Sequence, residues 1–267
     1  MSKKLKSAGF TIVEMMFVLA ISGMLVVTTI VFFRGRQERT QFTQGVNEIE
    51  SQIKTIMNEV VTGYYPNNGS FSCSEGASGP VINVNTNGNQ GENEDCIFLG
   101  KTISFFNNSA DYTAYTVVGL RKFGDSLATG LADSKPTISE DIKESYKLPW
   151  GISVSKVISS RGVNAPLPIG SVGVISSLGE FSANPLDDDV SGAQTADLVP
   201  IGSGLNTNFA NIQAQVKLLT DSDRRPDKIT VCLVSGSRDR KAAIILGGKG
   251  KQLNTEVVID NVPSECN

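Results

Sequence analysis

The chain contains no histidine. That absence removes Ser-His-Asp and Cys-His catalysis, histidine proton relays and histidine-ligated zinc together. Aromatic residues are sparse at 7%, with one tryptophan. The formal net charge is only −3, too small to mark the whole chain as a nucleic-acid binder. No CxxC pair occurs, and without histidine a zinc site would need all four cysteines at once. No cofactor motif is present. Charged residues at 19% and hydrophobic residues at 40% are ordinary, which excludes a disordered or collagen-like polymer. What remains is a chain of 267 residues, one or two domains by length and long enough to bury a real core. Its abundant Gly, Ser and Asn suit a loop-rich β domain.

Apolar residues concentrate in one run, Phe10–Phe33, which holds a single charge, Glu14, and no proline. The run exceeds the roughly 20 residues that a helix needs to cross a bilayer. Lys3, Lys4 and Lys6 precede it, and Arg34, Arg36 and Arg39 follow. A cleavable secretory signal would be shorter and would end in small residues, whereas Val31-Phe32-Phe33-Arg34-Gly35-Arg36 does not. An ordinary signal anchor accounts for the length and the lysines but not for Glu14. An ionised side chain in a membrane helix is costly and marks a functional site by default. Set against this, Glu14 lies only four residues into the run, where it would face headgroups.

The segment Lys6-Ser7-Ala8-Gly9-Phe10-Thr11-Ile12-Val13-Glu14 resembles the processing site of the type IV pilin family, which includes type II secretion pseudopilins. The family pattern is a short basic leader, a Gly, a Phe or similar residue, then Thr-Leu/Ile-Val/Ile-Glu opening an apolar helix. The likeness covers about the first thirty residues. It implies cleavage between Gly9 and Phe10 by a membrane prepilin peptidase on the cytoplasmic side, and N-methylation of the new Phe10 amine. Glu14 would become the fifth mature residue, and its implied role is assembly, with a neighbouring subunit's N-terminal amine as partner. Two opposite charges buried together cancel much of the penalty that either bears alone. Gly9, lacking a Cβ, lets a protease close on the backbone.

Flanking charge leaves the topology nearly undecided, because basic residues lie on both sides of the run. The cysteines decide it. Cys73, Cys96, Cys232 and Cys266 all follow the run and suit two disulfides; of the three possible connectivities, the near-neighbour pairing Cys73–Cys96 and Cys232–Cys266 is favoured. Disulfides need an oxidising space, so residues 63–267 are expected outside the cytoplasm, anchored by one pass through the inner membrane.

The expected organisation is a basic leader at 1–9, a transmembrane helix at 10–33, an amphipathic continuation at 34–62 and a β-rich head at 63–267. Phe42, Val46, Ile49, Ile53, Ile56 and Val60 repeat at spacings of 4, 3, 4, 3 and 4, a single helical stripe. It is too short for a sustained coiled coil, and so is expected to pack on the chain's own sheet. Gly63 ends the helix. Candidate strands are Ile97–Phe106, Tyr112–Leu120, Ile152–Ile158, Val172–Ser176, Ile212–Leu219, Ile229–Val234, Ala242–Leu246 and Glu256–Ile259, with loops at 66–95 and 182–208. A sheet covered by the stripe helix gives an α+β fold, a long N-terminal helix on a mainly antiparallel head.

Other motifs carry less. Gly247-Gly248-Lys249-Gly250-Lys251 lacks phosphate-loop spacing and sits between strands. Asp187-Asp188-Asp189 offers hard oxygens for calcium, and Glu92, Glu94 and Asp95 form a similar cluster, but neither has a calcium-loop spacing. A solvated acidic loop is the simpler reading of each. Arg224, Arg225, Arg238, Arg240 and Lys241 could contact DNA phosphates, as a competence pilus would require. Asp221, Asp223, Asp227 and Asp239 interleave them, and no aromatic residue lies among them to stack bases, so a salt-laced surface is favoured. The run Ile229-Thr230-Val231-Cys232-Leu233, then Gly236-Ser237-Arg238-Asp239-Arg240, then Lys241-Ala242-Ala243-Ile244-Ile245-Leu246-Gly247 and the final Cys266, resembles the C-terminal half of H-type minor pseudopilins and fimbrial T-type relatives. The expectation is a non-enzymatic minor subunit of a cell-surface or periplasmic fibre. The implied partners are prepilin peptidase, other pilin or pseudopilin subunits, the inner-membrane assembly machinery and membrane lipid. The alternatives are a DNA-uptake pilin and a monomeric anchored binding module.

Overall fold

The computed structural model describes residues 11–63, 71–77, 79–84, 96–106, 109–160, 166–176, 196–205, 208–220, 223, 228–247 and 253–266, with backbone alone at 31–35, 71–73 and 84. The chain divides into two units, Met1–Thr43 and Gln44–Asn267, and one helix, α1 (Ile12–Thr62), contributes to both. The helix ends where the sequence predicts. Gly63 adopts φ 65, a left-handed conformation that costs a glycine little, and its N–H donates to the Val60 carbonyl at 3.2 Å.

In the first unit, the described side chains from Ile12 to Ile30 are exposed all around the helix. These 19 residues extend about 28 Å at about 1.5 Å per residue, close to the thickness of bilayer hydrocarbon. Two threonine hydroxyls turn back to the helix backbone. Thr28 Oγ1 donates to the Met24 and Leu25 carbonyls at 3.1 and 3.0 Å, and Thr29 Oγ1 donates to the Leu25 carbonyl at 2.7 Å. That self-satisfaction is what a helix surrounded by hydrocarbon requires of polar side chains.

The second unit is α+β. Its strands are β1 (Phe71–Gly76), β2 (Gly79–Val84), β3 (Cys96–Phe105), β4 (Asp111–Leu120), β5 (Lys122–Phe123), β6 (Ser126–Leu127), β7 (Thr137–Lys147), β8 (Ser153–Ser159), β9 (Leu167–Pro168), β10 (Ser171–Ser176), β11 (Ala196–Ile201), β12 (Ile229–Val234), β13 (Lys241–Gly247) and β14 (Asn254–Ile259). A second helix, α2 (Phe209–Lys217), lies between β11 and β12. Two five-stranded antiparallel sheets carry the core, ordered β11-β10-β3-β4-β7 and β14-β13-β12-β8-β9, with two small hairpins, β1-β2 and β5-β6. A mainly antiparallel α+β head is therefore present, built from two large sheets where one was expected.

Both sheets reach α1. Val46, Ile49, Ile53, Ile56, Met57 and Val60 are fully buried, so the predicted stripe is a core face within this unit. The flanking polar residues pin the helix. Tyr112 on β4 donates its hydroxyl to Gln52 Oε1 at 2.8 Å, and Thr255 on β14 donates to Glu50 Oε1 at 2.6 Å. Lys101 on β3, 1% exposed, is held between Glu59 on α1 and Glu144 on β7, at 2.9 Å from the latter. Tyr146 donates to the other oxygen of Glu144 at 2.6 Å and stacks on Tyr112, with ring centroids 5.1 Å apart. The opposite face of the first sheet packs Tyr115, Val117 and Val199 against Ile212, Val216 and Phe209 of α2. Gly100 must be glycine. At φ 147 it opens a bulge between Phe98 and Gly100, and a Cβ there would strike the Val174 carbonyl.

Three sequence expectations need correction. Ile212–Leu219, read as a strand, is mostly α2. Its apolar residues fit both periods, and the helix is selected by Asn208, whose side chain caps it by accepting from the Asn211 N–H at 2.9 Å, and by the Phe209-Ile212-Val216 face. The 66–95 and 182–208 stretches are not wholly loop, since they include β1, β2 and β11. Finally, β7 was not foreseen. Its charged sequence lacks a clean apolar alternation: Thr137, Ile138 and Ile142 are buried, while Glu140, Asp141, Lys143, Ser145 and Lys147 are exposed.

Candidate functional site

Thr11 and Glu14 form a reciprocal cap at the start of α1. The Thr11 carbonyl accepts the first helical bond, from the Met15 N–H at 3.2 Å. Glu14 Oε2 accepts both the Thr11 N–H and the Thr11 hydroxyl, each at 2.9 Å, and Thr11 Oγ1 accepts the Glu14 N–H at 3.3 Å. This is the Thr-x-x-Glu capping box, legible in the sequence as Thr11-Ile12-Val13-Glu14 yet absent from the sequence reading above. A carboxylate in the first turn also opposes the positive end of the helix dipole. The arrangement uses one oxygen of Glu14 and leaves Oε1 with no hydrogen bond among the described residues. A carboxylate so held keeps one acceptor for an ammonium group brought to the same end of the helix.

Gly9 and Phe10, the predicted cleavage and methylation residues, lie outside the described residues, as do Arg224, Arg225, Asp187, Asp188, Asp189, Glu92, Glu94, Asp95 and residues 248–251. No metal-holding cluster of acidic or cysteine side chains occurs among the described residues.

Cys232 on β12 is joined to Cys266, with Cα atoms 5.4 Å apart, tying the chain's C-terminal turn to the second sheet. Cys96 is also disulfide-bonded, while Cys73 has its backbone on β1 and its side chain outside the described atoms. The 235–240 turn carries Arg238 at φ 61 and Arg240, whose guanidinium lies 3.9 Å from Asp260. Its Gly236 abuts Gly151, where a Cβ would sit 3.3 Å from the Gly151 oxygen. The half-exposed Trp150 (φ 57) is the neighbour of Gly151, so an aromatic turn adjoins the basic one, an adjacency that the sequence order hides. Trp150, Pro149 and Ile152 close over Gly45 of α1, where a Cβ would meet Ile152 at 2.6 Å.

Comparison with curated proteins and with solved structures gives no match. Residues 4–30 match the family model described as the prokaryotic N-terminal methylation motif. The match spans the basic leader, the Thr11–Glu14 cap and the exposed apolar helix, and in that segment the chain is similar to prepilin-type proteins.

Proposed function

We propose that this chain is a prepilin. It is held in the cytoplasmic membrane by its apolar helix, cut between Gly9 and Phe10 by a prepilin peptidase, methylated on the Phe10 amine and assembled with other subunits. The coincidence that carries the reading is the methylation-motif match at 4–30 over a helix that is apolar on every side and begins with a capped acid. Glu14 then has two tasks. One oxygen finishes the helix N-terminus, and the other receives the methylated amine of a neighbouring subunit, which neutralises both charges away from water. The fibre is a type IV pilus or a type II secretion-like pseudopilus, with this chain as a minor, non-enzymatic subunit. Residues 63–267 lie outside the cytoplasm, consistent with the Cys232–Cys266 disulfide. N-terminal sequencing and intact-mass measurement of the membrane-extracted protein test this reading. The expected first residue is N-methyl-Phe10, and a chain in fibres that still begins with its lysine-bearing leader overturns the proposal.

A further inference from the structure

The two large sheets end in four edges, β11, β7, β14 and β9. Exposed edges invite unwanted strand pairing, and proteins blunt them with proline, charge, shortness or cover. Three edges here are blunted. Strand β9 is two residues long and includes Pro168. Strand β11 contains Pro200, which has no N–H to offer. Strand β7 carries Glu140, Asp141, Lys143, Glu144 and Lys147, and Gln213 of α2 donates to its Ile138 carbonyl at 2.8 Å. Strand β14 is the least blunted of the four. It runs six residues without proline and contains Val257, Val258 and Ile259, with Glu256 as its single charge.

Register shows which backbone groups of β14 look outward. The Asp260 N–H donates to the Lys241 carbonyl at 3.0 Å, one rung beyond the pair Ile259 and Ala242. Bonded rungs alternate in an antiparallel ladder. Val258, Glu256 and Asn254 therefore bond to β13, and Thr255, Val257 and Ile259 direct their N–H and C=O away from it. The Ile259 carbonyl is taken by the Asn261 N–H at 2.9 Å. Among the described residues nothing accepts from the three outward amides. Glu256 is exposed and makes no ion pair there.

We propose that β14 is a docking edge that takes an extended segment of a different protein as a sixth strand. Main-chain bonds supply the affinity in such an addition, and alternate side chains supply the selectivity. The edge specifies its occupant: β-branched residues to lie beside Val257 and Val258, and a lysine or arginine to meet Glu256. A second copy of this chain fits less well. Antiparallel pairing of β14 with itself through Thr255, Val257 and Ile259 brings the two Glu256 carboxylates onto one face, opposite or diagonal to each other, a like-charge contact that a lysine-bearing segment avoids.

The test uses the full chain in detergent with its disulfides intact, and a fluorescent peptide of alternating Val and Thr flanked by lysines, read by anisotropy. The expected result is saturable binding, weakened about tenfold or more when alternate peptide amides are N-methylated or when the lysines are replaced by glutamate. Val257→Pro removes an outward N–H and leaves the β13 rungs intact, so it is expected to weaken binding similarly. Absence of binding, or equal binding of the N-methylated peptide, overturns the proposal. So does Val257→Cys, if it gives disulfide-linked dimers of the chain without peptide. If Val257→Pro does not fold, the N-methylation comparison on the unchanged protein decides.

Discussion

At the scale of single residues, Glu14 combines a local and an intermolecular task, and substitution separates them. Gln at this position still closes a capping box, because its amide oxygen accepts from the Thr11 N–H, but it carries no charge. Ala loses both. If the charge drives assembly, Glu14→Gln and Glu14→Ala both remain inserted and cleaved yet enter fibres poorly, as read by sheared-fibre yield against membrane content. Normal incorporation of Glu14→Gln would reduce the acid to a cap. Glu50 gives a pH-dependent contact. Partial burial pushes its carboxyl up, but the Lys54 ammonium and the Thr255 hydroxyl outweigh that and hold it below its ordinary value of 4.5. A lowered folded pKa stabilises above the unfolded value, and the contribution is lost as pH falls through the folded one. Thr255→Val should therefore cost about 1 kcal/mol near neutral pH and progressively less below about pH 4.5, measured by urea midpoints at both pH values. A constant difference would detach Thr255 from the ionised acid.

At the scale of elements, the question is what fixes α1 against its sheets. An apolar stripe such as Val46–Val60 favours contact but tolerates sliding by a turn, since one aliphatic residue replaces another. The polar pins do not tolerate it. Lys101 satisfies Glu59 and Glu144 in one register only. Removing one partner of a buried charge group typically costs about 3–5 kcal/mol, whereas replacing the whole group with apolar residues is nearly neutral. Lys101→Met is accordingly expected to lower stability by about 3 kcal/mol, because two part-buried carboxylates are then left facing each other. Adding Glu59→Leu and Glu144→Leu should recover most of that loss in chemical denaturation. A single Lys101→Met variant as stable as the parent would show that the pair contributes nothing net. Helix α2 shows how elements are chosen beyond their own pattern. Exposed Leu218 completes an alternation that reads as a strand, while the Asn208 cap and the pocket filled by Ile212 and Val216 select the helix.

At the scale of the whole molecule, the Cys232–Cys266 disulfide closes a loop across 34 residues and ties the C-terminal turn to the second sheet. Chain-entropy reasoning assigns it about 3–4 kcal/mol. Replacing both cysteines with serine should lower the thermal midpoint of the oxidised head by several degrees, checked by circular dichroism, and an unchanged midpoint would make the bridge incidental. The sequence alone determined the apolar helix, its cap, its processing motif and the stripe to Val60, because each is written in consecutive residues or at a fixed helical period. It also determined most inner strands, whose apolar runs are buried whichever neighbour they take. Only tertiary structure decided that there are two large sheets, that Lys101 is buried between acids from two other elements, and that Gly151 meets Gly236. It alone left β14 as the least blunted edge. Those outcomes depend on which strands become neighbours, and that pairing is settled by contacts between residues distant in the chain, to which no local period or composition is sensitive.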